Sequence, residues 1–144
     1  MTTRADIIAE ARSWVKTPIR HQGRLKGIAC DCVGVIMLPA RACGLFPPDF
    51  EITGYPRHPD AKIMKRMLQT YLDPVSPAVP IGGDVLRLCP NPITRIPHHL
   101  AIYTFDNSII HAYDERRGVR EHILDHRWSN AISEVWRYRG LVDP

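Results

Sequence analysis

At 144 residues, the chain has the length of one domain. A domain of this size buries roughly 68–70% of the surface its unfolded form exposes, enough for a real core. It is 44% hydrophobic and 24% charged, with a formal charge of +4 and seven histidines besides, and no apolar run reaches the roughly 18 residues that a membrane-spanning helix needs. The lysines and arginines are scattered without an aromatic–basic stripe, which argues against a dedicated nucleic-acid surface, while the positive balance suits an anionic partner.

Thr3 with Asp6 makes a capping start. Ile7, Ile8, Ala11, Trp14 and Val15 recur at helical spacing behind it, so a first helix is predicted over residues 4–15. Thr17-Pro18 ends it, and residues 17–31 read as a loop rich in Gly, Arg and Lys. The first residues lack the apolar core of a Sec-type signal peptide, so the four cysteines at 30, 32, 43 and 89 are expected to be reduced. Their spacing matches no zinc-finger pattern, and Cys30–Cys32 is C-x-C rather than C-x-x-C.

Residues 27–34, GIACDCVG, feed a cysteine into an apolar run. Asp31 is a good N-cap, because its side-chain oxygen accepts from free backbone N–H groups one turn on. Cys32 is then the first helical residue, at the positive end of the helix dipole, where a thiolate is favoured. That makes Cys32 a candidate nucleophile. The rival thiol, Cys30, lies before the cap and reads as packing or as a redox partner of Cys32. Cys43 and Cys89 read as small apolar packing residues. The second helix carries Val33, Ile36, Met37 and Ala40 on one face, with Gly44 as the natural C′ residue. Pro39 predicts a kink or an early end, because a proline inside a helix removes one hydrogen bond and clashes with the preceding turn.

Residues 46–60, with four prolines, are expected to be an irregular excursion, either a docking surface or the wall of a groove. A third helix is predicted over residues 61–72, and residues 73–83 read as a linker loop. The period then changes to that of strands. Residues 84–89, 99–105 and 108–113 form an antiparallel meander, with a turn at Asp106-Asn107. Residues 114–118 turn again, 119–123 form a fourth strand, 125–131 a short helix and 134–138 a last strand. Helices first and strands after give a single α+β domain over residues 1–144, with helices packed on one face of an antiparallel sheet.

A cysteine nucleophile needs a base, and the base needs an orienter. His99 opens one strand and His111 lies near the end of the next. The turn between them sets these strands side by side, so the pair offers one imidazole to Cys32 and a second to hold the first. His98 should point to the opposite sheet face. His21, His58, His122 and His126 read as solvated or satisfied histidines, and Trp14, Trp128 and Trp136 as core or rim aromatics.

Five motifs stand in order along the chain: Thr17-Pro18-x-Arg20-x-x-Gly23, Asp31-Cys32-x-Gly34, Gly83-Asp84-Val85, His99-Leu-Ala-Ile-Tyr103 and Ile110-His111-Ala112. In this the sequence resembles the NlpC-type cell-wall cysteine peptidases, which are papain-like, and most of all the phage-encoded, tail-associated subgroup. The resemblance covers nearly the whole chain. It implies an NlpC-type fold and a peptidase of peptidoglycan stem peptides, cutting γ-D-glutamyl–diaminopimelate bonds. Cys32 is then the nucleophile, His99 the base, His111 its orienter and the Cys32 N–H part of the oxyanion hole. Asp31, Ile19, His21 and Val33 fall at substrate-binding positions. No metal or organic cofactor is implied. The implied setting is a virion tail, made in the host cytoplasm, docked on tail or baseplate proteins and acting at the cell wall.

Two positions depart from the family pattern. Ile19 stands where relatives often carry a tyrosine, with His21 or Gln22 as possible substitutes, and Val33 where they often carry serine. These favour an alternative of a different class, a structural tail-tip module of the same fold with a decayed site. A third alternative is a metal site drawn from Cys30, Cys32, His98, His99 and His111, since zinc accepts both ligand types.

Overall fold

A computed structural model describes residues 1–57 and 60–143; His58, read above as a solvated or satisfied histidine, lies outside the described residues. The chain runs α1 (Arg4–Arg12), β1 (Arg24–Leu25), β2 (Ala29–Cys30), α2 (Cys32–Ala42), α3 (Ala61–Tyr71), β3 (Leu72–Pro74), β4 (Val85–Leu88), β5 (His99–Tyr103), β6 (Ser108–Asp114), β7 (Gly118–Ile123), α4 (His126–Asn130) and β8 (Ile132–Tyr138). Six strands form one antiparallel sheet in the order β3-β8-β4-β5-β6-β7, and β1 and β2 pair as a separate ribbon. This is the α+β architecture expected.

Local chemistry sets the helix ends. Thr3 and Asp6 form the capping box at α1, and Asp31, Asp60 and Asp125 cap the other three helices. Each cap accepts from backbone N–H groups that the first turn cannot satisfy internally. α1 ends at Arg12, three residues earlier than expected, and residues 13–16 form a turn. α2 runs through Pro39 to Ala42 instead of stopping early, and Gly44 takes φ +82° just past its C-cap, a conformation that costs glycine little.

Two stretches expected to be irregular are not wholly so. The 17–31 loop folds on itself as the β1–β2 ribbon, and residues 72–74 add an edge strand against β8. The connection between β5 and β6 takes residues 104–107 rather than a two-residue turn, because Thr104 and Ser108 bond through both backbone and hydroxyls and close the strands early. β8 starts at Ile132 and pairs with β4, so the last strand lies inside the sheet, between β3 and β4.

Strand alternation gives the sheet two apolar faces. Val85, Leu100, Ile102, Ile110 and Ala112 face α1, α2 and α3 in the larger core cluster. Leu86, Leu88, Ala101, Ile109 and Val135 face the other way, where Trp128 of α4 covers them. Helices therefore cover both faces, three on one and the short α4 on the other. The second face is the one that carries the histidines.

Candidate active site

Asp31 opens the site. Its backbone is extended, its Oδ1 accepts from the Gly34 N–H at 2.8 Å and its carbonyl accepts from Val35 N at 3.0 Å, so Cys32 is the first residue of α2 as expected. Gly34 is required there: a Cβ would sit 2.8 Å from the Cys30 sulfur and 3.2 Å from an Arg24 nitrogen. Cys30 is fully buried and its thiol donates to the Asp31 carbonyl, which is the packing reading. Cys89 is buried and Cys43 half-buried, and all four thiols are free.

The electrostatics of Cys32 differ from the expectation. Burial pushes its thiol up to about 12, the Asp31 carboxylate adds to the rise, and the backbone amides of Leu100, Cys32 and Val33 pull it down without cancelling it. The helix dipole is worth at most about 2 kcal/mol in a favourable, partly buried site. Desolvation of an anion exceeds that, so the resting group is a neutral thiol rather than a thiolate.

His99 and His111 are buried side by side, at 4% and 3% exposure. Their rings meet at 2.8 Å, Nε2 of His99 to Nδ1 of His111. The β5–β6 register pairs Ile102 with Ile110, which puts His99 and His111 on one face as diagonal neighbours, within reach of long side chains. Trp128 stands edge-on to His111 with ring centres 4.9 Å apart. Burial holds both imidazoles neutral: His99 is driven well below its ordinary value by desolvation, then by His111 and His98, and His111 is driven to about 3 by desolvation, then by His122, Arg120 and Arg127.

His98, expected on the sheet face opposite His99, precedes β5 and borders the same cavity as His99. His122, expected to be solvated or satisfied, is satisfied: its Nε2 lies 2.7 Å from Nε2 of His111. β6–β7 pairing sets Ile109 opposite His122, again a diagonal from His111. Alternation counted across β5, β6 and β7 would have revealed all three rings on one face.

One cavity of about 430 Å³ unites the remaining positions. Cys32 and His99 both line it, together with Ile19, His21, Asp31 and Val33. His111 lies behind His99 and does not line it. The far wall comes from residues 55–57 of the excursion and from Ile63, Met64 and Met67 of α3, so the excursion is a groove wall here. Tyr55 was not anticipated. Its hydroxyl donates to Oδ2 of Asp31 at 2.5 Å, and His21 packs edge-on to its ring at 5.3 Å. Oδ2 also accepts from Gln22 N at 2.7 Å, and Oδ1 from Arg24 at 3.1 Å as well as from Gly34. Asp31 thus holds four donors, one of them a guanidinium, and its carboxylate is already charge-paired and satisfied from within the chain. Among the described residues, no three His, Cys, Asp or Glu side chains are grouped to hold a metal ion; the imidazoles bond one another instead.

Comparison with known structures places this architecture among NlpC/p60 domains. The NlpC/p60 domain of the peptidoglycan hydrolase SagA matches with a TM-score of 0.64 at 19% identity, over 93% of this chain and 97% of that one. An NlpC/P60 family protein from Bacillus cereus matches with a TM-score of 0.67 at 20% identity, over 94% of this chain and 40% of that one. RipD from Mycobacterium tuberculosis, a non-catalytic NlpC/p60 domain protein, matches with a TM-score of 0.60 at 16% identity, over 98% of this chain and 99% of that one. At these identities the likeness is one of fold. In sequence, the chain is 36% identical over 70 residues to tail tip assembly protein K of Escherichia phage lambda, a match that takes in 49% of this chain and 33% of the lambda protein. The chain therefore covers about a third of that relative. No family model matches it.

Proposed function

Proceeding from its NlpC/p60 fold, we propose that this chain is a cysteine peptidase of peptidoglycan stem peptides, with the γ-D-glutamyl–diaminopimelate bond as substrate and a phage or phage-like tail as its setting. One observation carries the reading. Cys32, at a capped helix start, and His99, held by His111, border one cavity of about 430 Å³, within the usual range for small-molecule and peptide sites. The similarity to a phage tail tip assembly protein supports the setting, and the partners would be the other proteins of that tail.

The chemistry follows from the resting protonation states. His99 uses Nε2 to meet His111, which leaves Nδ1 for the thiol. Both groups start neutral, so the thiolate forms as it attacks: the Cys32 proton passes to His99 Nδ1 while sulfur adds to the amide carbon. The developing oxyanion is met by the N–H of Cys32 at the helix start. The imidazolium then gives its proton to the departing amine, and a thioester remains. His99 next takes a proton from water as the water oxygen adds to the thioester carbon and displaces sulfur; that proton returns to the Cys32 sulfur, and the carboxylate leaves.

A second reading is favoured by the closed Asp31–Arg24–Tyr55 cluster together with Ile19 and Val33 in the cavity wall. In that reading the chain is a non-catalytic tail-tip module of the same fold. Purified protein and its Cys32→Ala variant, each incubated with purified peptidoglycan, separate the two. Stem-peptide fragments released by the wild type alone, identified by mass spectrometry, are the expected result and name the bond. No fragments from either folded protein would establish the second reading.

A further inference from the structure

His122 lies outside the pair of histidines assigned above, yet its hydrogen bonds determine what that pair can do. Its Nδ1 sits 3.0 Å from the backbone carbonyl of Ile123. A carbonyl only accepts, so Nδ1 of His122 carries a proton. In the neutral ring Nε2 is then a lone pair, and it can only accept from Nε2 of His111, 2.7 Å away. With its proton on Nε2, neutral His111 presents a lone pair at Nδ1. That lone pair accepts from Nε2 of His99 at 2.8 Å, and Nδ1 of His99 is left unprotonated. One backbone carbonyl thus dictates the tautomers of three rings in series.

We propose that His122 is a positioning residue that fixes Nδ1 of His99 as a proton acceptor, and that protonation of His122 converts that nitrogen into a donor. A proton added to Nε2 of His122 would face the N–H of His111 head-on. The conflict is relieved only if His111 moves its proton from Nε2 to Nδ1 and His99 moves its own from Nε2 to Nδ1. The chain then carries one extra proton, held by His122, and every ring-to-ring hydrogen bond runs in the opposite sense. The nitrogen of His99 that is not bonded to His111 has lost its lone pair.

The surroundings of His122 suit this role. It is half-buried on β7, whereas His99 and His111 are sealed, so an incoming proton reaches His122 first. It borders a small cavity of about 190 Å³ with His111 and Asp114 of β6, Arg120 of its own strand, and Arg127 and Trp128 of α4. Asp114, the one carboxylate there, is shared with Arg120 and Arg117. Glu121 points to the other side of the strand, where Arg12 and Ser108 hold it. Burial keeps His99 and His111 neutral, so neither competes for the proton.

The catalytic consequence rests on the proposed role of His99 as base; the tautomer assignment does not. The test is therefore spectroscopic. Ring nitrogens of the 15N-labelled full chain are followed by NMR from about pH 8 to about pH 5, across the ordinary histidine range. At the upper end Nδ1 of His99 should read as pyridine-like. As His122 becomes cationic, Nδ1 of His99 should turn pyrrole-like with the same midpoint. In His122→Gln the amide oxygen still accepts from His111 but takes no proton in this range, so Nδ1 of His99 should stay pyridine-like throughout. A pyrrole-like Nδ1 at high pH would overturn the proposal, as would a wild type whose His99 ignores the titration of His122. An unfolded His122→Gln leaves the wild-type titration decisive. A protein with this coupling but no peptidase activity would refute the proposed function and leave this inference standing.

Discussion

At Cys32 two textures of the same site oppose each other. The helix start offers positive potential, and burial removes the solvent that a thiolate would need; the second effect wins, leaving the thiol at about 12. A papain-type ion pair instead holds its cysteine near 3–4. The difference is measurable. Site-resolved alkylation of Cys32 by iodoacetamide should climb about tenfold per pH unit through neutral pH and keep climbing past pH 9, following the thiolate fraction. A plateau already reached at about pH 5 would mean a preformed ion pair. At this scale much of the site was readable in the sequence: an acidic cap, a cysteine behind it and two histidines on adjacent strands. What was not readable was the sign of the net shift, since desolvation depends on everything packed around the sulfur. Nor was Tyr55, because no periodic pattern says where a proline-rich excursion folds back.

At the scale of elements, the β1–β2 ribbon determines where the cavity rim lies. It presents Arg24 to Asp31 and brings Cys30 back against Ile19. Gly23 makes the ribbon possible. A Cβ at that position would meet backbone and side-chain atoms of Ala29 at 2.6 Å and the Cys30 nitrogen at 2.7 Å, distances that no rotamer change relieves. Gly23→Ala should destabilise the fold by about 1–3 kcal/mol, the usual cost of overpacking, read as a lower urea midpoint with an unchanged slope. Sequence patterns identified every element of five or more residues to within a few positions, because those elements bury a periodic face. The short pairs β1–β2 and β3 escaped, since two or three residues show no period. Their pairing is a product of tertiary contact. His122 escaped for a related reason: a histidine in a strand declares a face only once the neighbouring strands are registered against it.

At the scale of the whole molecule, Asp84 ties three distant parts of the chain together. It is fully buried and accepts from Arg4 at 3.2 Å, from two nitrogens of Arg137 at 2.8 Å and from Ile81 N at 3.0 Å. The first helix, the entrance to β4 and the last strand meet on one carboxylate. Arg4 is itself 7% exposed, so removing the anion leaves a buried cation with only the solvent-exposed Asp143 as its ion partner. Asp84→Ala should cost about 3–5 kcal/mol, measured by chemical denaturation, far more than Asp73→Ala at the solvent-exposed pair with Arg139, where about 0–1 kcal/mol is at stake. Gly83-Asp84 was legible as a motif at the start of a strand. Its role as a knot between the two ends was not, because sequence separation hides it.

Thr3 bridges Val142, with Arg4 N donating to the Val142 carbonyl and Val142 N to that of Thr2, and the Arg4 guanidinium reaches Asp143. Topologically the polypeptide is therefore almost a ring. A short linker would complete the circle, and the loop around Ile93, which is 90% exposed, could be opened in its place without cutting a strand or a helix. Such a rearranged chain keeps every layer of the fold while moving its points of entry and exit to the far side of the domain. The same adjacency means that a host protein could carry this domain as an insert, entering and leaving through one narrow doorway.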